Sequence, residues 1–161
     1  MHTAAGLVDL HERVHRSFVK LLDHCAGLSD EPLRRELEGF GYPTLLRQLH
    51  HAIGAEGYWI GVLRGEMLTE EHEADRASVE ALRAFRNRVV EATVSYLRQT
   101  SDVELNRCRE VTTWGDKQVE LVPAHVVLRT QTHIFQHQGQ VGAMARLLGR
   151  PIPAGLDFPL G

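Results

Sequence analysis

Apolar residues recur every three to four positions over most of this chain, and that period constrains its fold more than any other feature. Leu7, Leu10, Val14, Phe18, Leu21, Leu22 and Cys25 form a first stripe, ended by Gly27. Leu46, Leu49, Ile53, Ile60 and Leu63 form a second, with Thr44 as N-cap and an end near Gly65. Val79, Leu82, Phe85, Val89, Thr93, Tyr96 and Leu97 form a third, with a cap expected near Thr69 and an end at Gln99-Thr100. Val126, Thr130, His133, His137, Val141 and Met144 form a fourth, opened by Pro123 and stopped at Gly149 with Pro151 behind it. Side chains at this spacing return to one helix face, so each stripe predicts an amphipathic helix.

The connecting segments read differently. SDEPLRREL predicts a short helical turn capped by Ser29, followed by a loop through Gly39-Phe40-Gly41-Tyr42-Pro43. Residues 109–122 alternate β-branched and polar types on either side of Gly115-Asp116, which fits a hairpin or an irregular loop. The tail after Gly149 is rich in Pro and Gly. The expected fold is all-α: a four-helix bundle with a long crossover between its third and fourth long helices, in a single domain over 1–161. Gly54, Gly57 and Gly61 line one side of the second helix, where glycine weakens helix formation. They predict a close neighbour, and crowding against another helix is preferred over a ligand.

Composition narrows the function classes. A net charge of -3 with scattered arginines offers no clustered positive face for nucleic acid or anionic membrane. No apolar run reaches the length of a membrane span, and the N-terminus turns charged too early for a signal peptide, so a cytoplasmic protein is expected. The two cysteines, Cys25 and Cys108, lie far apart, as reduced thiols do. Ten histidines, by contrast, are many for 161 residues and supply ligands for a metal.

Two histidine motifs compete. His11-Glu12-Arg13-Val14-His15 fits H-E-x-x-H, the helical zinc-protease pattern. No further ligand follows at the required spacing, since Phe18 and Leu21 stand where the longer form needs Gly and His. Helices dominate the chain, and His11 is expected at the edge of the core face, so the motif reads as a decoy. A di-iron carboxylate site fails too, because Glu12-x-x-His15 has no second copy. His133 and His137 are the stronger pair: four residues apart on the core stripe, they can aim two ring nitrogens at one ion. The third ligand falls to His50 or His51. Helical period alone favours His50, which lies nearer the Leu46/Leu49/Ile53 face.

Here the chain resembles a known family. "HAIGAEGYWIGVLRG" (51–65) and "HIFQHQGQVGAMARLLGRPIP" (133–153) resemble the two histidine signatures of the DinB/YfiT-like superfamily. The resemblance implies a four-helix bundle, commonly homodimeric, that holds one divalent ion with His51, His133 and His137. It places Glu56 and Trp59 at the family's Glu and Trp positions, and Gly139 and Gln140 at its Gly-Gln. Ile134 and Gln136 depart from the Glu and His found in many relatives. Glu56, about 140° around the helix from His51, is expected to serve structure rather than the ion. Tyr58 and Trp59 are expected to pack, and Trp114 has no assigned place.

Three neutral nitrogen ligands leave coordination positions open and do not discriminate zinc, nickel or iron. By resemblance, the function is that of a metal-dependent transferase acting with a low-molecular-weight thiol on a small electrophilic substrate. The alternative is a non-catalytic, stress-associated metal-binding and dimerisation module. No catalytic or cofactor-binding residue beyond the ligands is assigned.

Overall fold

The computed structural model describes residues 1–67, 72–152 and 154–160. It is mostly helical, with one small two-stranded sheet. In chain order the elements are α1 (Ala4–Ala26), α2 (Asp30–Arg34), α3 (Leu45–Arg64), α4 (Val79–Gln99), α5 (Asp102–Asn106), β1 (Arg109–Thr113), β2 (Lys117–Leu121) and α6 (Pro123–Leu147). A 3-10 turn, Glu73–Arg76, precedes α4.

Local chemistry sets the helix ends. Thr3, Thr44 and Ser78 accept a backbone N–H through their hydroxyls at the starts of α1, α3 and α4, which satisfies donors that lack a partner in the first helical turn. The cap expected at Thr69 lies outside the described residues; α4 begins at Val79, behind Ser78. Gly65 takes the left-handed conformation (φ 71°) that closes α3. Ser101 and Glu104 form a reciprocal capping box on α5. Pro123 opens α6, where a missing N–H costs nothing.

The alternating segment between α5 and α6 is an antiparallel hairpin, with Val111 opposite Val119 and a tight turn over Trp114–Asp116. Gly115 sits at φ 70° in that turn. The hairpin docks on α3: Arg109 donates to the Leu63 carbonyl at 2.6 Å, and the Trp114 N–H to the Tyr58 hydroxyl at 2.8 Å.

The long helices α1, α3, α4 and α6 pack with α3 against both α4 and α6, and α1 against the same two. α3 and α6 run antiparallel, as the pairing of Gln48 with Gln140 and of Trp59 with Arg129 shows. Their interior is divided. One apolar cluster holds Val14, Phe18, Leu49, Ile53, Val89 and Ile134, and the other holds Leu7, Ile60, Leu97 and Val127. Between them each long helix contributes buried polar residues: His11, Glu56, Thr93 and Thr130. The tail folds back over α1 and α6, where the Leu156 carbonyl accepts from Ser17 and Gln138.

Gly54 and Gly57 of α3 face the neighbouring helix α4. A Cβ on Gly57 would meet Val89 Cγ2 of α4 at 3.2 Å, and one on Gly54 would reach the Phe85 ring at 4.0 Å. Cys25 is buried, which pushes its thiol up to about 12, while Cys108 is exposed. Among the described residues, no helix is long and apolar enough to cross a membrane.

Candidate metal centre

Among the described residues, two groups of side chains are close enough to hold a metal ion, and their hydrogen bonds distinguish them. The first is His51 of α3 with His133 and His137 of α6, whose ligand nitrogens all lie within 4.8 Å of one another. The Nε2 atoms of His51 and His133 are 3.2 Å apart. Two nitrogens bound tetrahedrally at ~2.05 Å stand about 3.3 Å apart, so this pair already has the spacing an ion requires. His137 Nδ1 donates to Gln48 Oε1 at 2.6 Å, which leaves Nε2 with its lone pair free. Gln48 is fully buried, and its Nε2 donates to Gln140 Oε1 at 2.8 Å. A ligating imidazole that donates its other N–H to an outer acceptor is held in the tautomer and orientation a metal needs. Tyr42 stacks on the His51 ring, with centroids 3.9 Å apart and planes at 19°.

Electrostatics keeps these nitrogens unprotonated. Burial, together with the neighbouring imidazoles, pushes His51 and His137 down to about 4. His133 is lowered by burial and then by the positive charge of Arg129. A metal therefore meets little competition from protons at neutral pH.

The second group is His11 and His15 of α1 with Glu56 of α3, all buried. His11 Nε2 lies 2.7 Å from Glu56 Oε1, His15 Nε2 lies 2.9 Å from Oε2, and the Thr93 hydroxyl donates to Oε1 at 2.6 Å. The outward nitrogens decide what this group is. His15 Nδ1 accepts from Arg86 Nε at 3.3 Å, so its proton sits on Nε2 and is donated to Glu56. A metal on Nε2 would force that proton onto Nδ1, against another donor. His11 Nδ1 is buried with no partner, and a proton moved there would be an orphan. In this structure the second group is a carboxylate held by three donors, with ligand atoms that are also within reach of one ion. Burial alone would raise Glu56, but the charges and hydrogen bonds of His15 and His11 outweigh it and hold the carboxyl below its usual range.

These contacts correct the expected place of His11, which lies in the interior rather than at an edge. Both histidines of H-E-x-x-H turn inward to Glu56, a third side chain that the sequence reading did not pair with them, and Glu12 is exposed. Glu56, expected to serve structure, accepts hydrogen bonds from α1 and α4. The choice that helical period made between His50 and His51 does not hold. His50 is buried against the Phe85 ring of α4, stacked at 5.2 Å, while His51 faces α6. Gln48 escaped the sequence reading, although a glutamine inside the buried face of α3, three residues before His51, marks a polar partner to be sought.

Mostly helical packing with a three-histidine cluster between two antiparallel helices defines a class of helical protein able to hold a metal. The DinB family model matches residues 1–160. The chain belongs to the DinB family. A DinB family member from Shewanella denitrificans, solved by crystallography, has a similar fold, with a TM-score of 0.59 at 12% identity over 99% of this chain and 90% of that one. No curated protein matches the chain.

Proposed function

We propose that His51, His133 and His137 hold one divalent ion, and that the protein is a metal-dependent thiol S-transferase built on a four-helix bundle. The observation that carries the metal site is the pairing of a ligand-ready His51/His133 spacing with a His137 tautomer locked by Gln48. Three neutral nitrogens leave positions open on an ion, as in catalytic sites. When bound, the ion supplies Lewis acidity that lowers the pKa of a thiol, so that nucleophilic sulfur is available at neutral pH.

The chain's own residues do the rest. The three imidazoles stay neutral and orient toward one point, Gln48 keeps the His137 proton on Nδ1, and Tyr42 fixes the plane of His51. In the transfer, sulfur forms a bond to an electrophilic carbon, the thiol proton passes to water, and the leaving group departs with its bonding pair.

The test is elemental analysis of untagged protein, followed by assay with thiol and electrophile. About one ion per chain is expected, along with turnover that His137→Ala abolishes. No ion after reconstitution would remove the site. Bound metal without turnover across several thiols would instead favour a non-catalytic metal-binding module.

A further inference from the structure

The histidine cluster lies at one end of a strip along the α3–α6 seam, and the strip continues toward the hairpin. One turn before His133 on α6 is Arg129, about 6 Å along the helix axis. Its guanidinium lies 5.1 Å from the centroid of the Trp59 ring, and such cation–π stacking holds a side chain in place while leaving its N–H groups outward. Among the described residues no carboxylate pairs with Arg129, although most arginines of this chain that make ion pairs do so with a nearby acid. Beyond Trp59 the wall is aromatic. Tyr58 packs edge-on to Trp59 at 5.3 Å and fixes the backbone of Trp114, which is 65% exposed.

A divalent ion on three neutral ligands, beside an arginine with no carboxylate partner among the described residues, is a site of strong positive potential. Such a site recruits its negative charge from the ligand. Arg presents a planar fork of donors that matches a carboxylate. We infer that Arg129 is a carboxylate-binding residue of this site, so that the molecule taken there bears an anionic carboxylate one helical turn from the atom that meets the metal. This rests on the metal reading above, but not on the thiol chemistry.

The test uses the full chain loaded with Co(II), whose visible spectrum reports ligation, and two matched pairs of probes. In one pair, 3-mercaptopropionate is compared with uncharged 2-mercaptoethanol; in the other, succinate with succinamide. The charged member of each pair is expected to bind about tenfold more tightly, the scale of one charge-assisted contact at a partly exposed site. Arg129→Gln should erase that preference while leaving Co(II) content and 2-mercaptoethanol binding unchanged, and Arg129→Lys should restore part of it. If neither thiol gives a sulfur-to-cobalt band but the succinate preference is present and lost in Arg129→Gln, the thiol chemistry fails and the carboxylate site stands. Equal affinity for charged and uncharged probes, or a preference that survives in Arg129→Gln, would overturn the inference.

Discussion

Gln48 carries no charge, yet the orientation of His137 depends on it. Its carbonyl receives the Nδ1 proton, and its amide nitrogen is committed to Gln140, so the Gln48 side chain cannot easily flip. Removing it frees the imidazole to change tautomer and to rotate. Gln48→Ala is expected to weaken metal affinity about 10–100-fold, read by competition with a chelating dye, with the helical content unchanged. Gln48→Glu keeps an acceptor at Oε1 and should retain most of the affinity. His11 teaches the complementary lesson. A histidine surrounded by Leu7, Leu10 and Val14 looks like an edge residue until Glu56, 45 positions away, is seen to receive its proton.

At the scale of elements, the contact of α3 with α4 shows why two glycines on one helix are not equivalent. Space at Gly57 ends 3.2 Å away at Val89, whereas a methyl on Gly54 would make ordinary contact with Phe85. Gly57→Leu is expected to destabilise the protein by about 1–3 kcal/mol through overpacking, and Val89→Ala in the same chain should return part of that. Gly54→Ala should be neutral or stabilising by up to about 1 kcal/mol, since alanine is the better helix former. Urea denaturation midpoints of the variants measure all of these. The opposite ordering of the two glycine sites would contradict the packing described.

Across the whole molecule, the polar layer of His11, His15, Glu56 and Thr93 links α1, α3 and α4 between the two apolar clusters, and it makes stability depend on pH. Burial lowers His15 from its ordinary 6.5, so the unfolded chain takes up a proton there before the native one does. Glu56 is held below its ordinary 4.5 by the imidazoles, which outweigh its burial. In both cases the unfolded state binds more protons, so stability rises with pH. It should be fully present above about 6.5, decline as pH falls through that value, and decline further below 4.5, where Glu56 of the unfolded chain takes up a proton that the native carboxylate still refuses. Urea midpoints measured from pH 7 to about pH 3 should fall steadily. Glu56→Gln should lower the midpoint at pH 7 and flatten the part of the curve below 4.5. An unchanged acid limb in that variant would show that the layer does not govern it.

The chain alone determined the four long helices, most of their ends and the His133/His137 pair; it left the 109–122 segment open between a hairpin and an irregular loop, and did not show α5. Caps, helical period and turn residues act over a few positions, and these properties depend on nothing farther away. The family resemblance named His51 where helical period favoured His50, and the tertiary structure shows His51 facing α6; only the tertiary structure decided that His11 and His15 close on Glu56 and that Arg129 rests on Trp59. Those facts depend on how far each helix is rotated about its axis and which turn lies opposite which. A rotation of half a turn would exchange every partner without altering a single local preference.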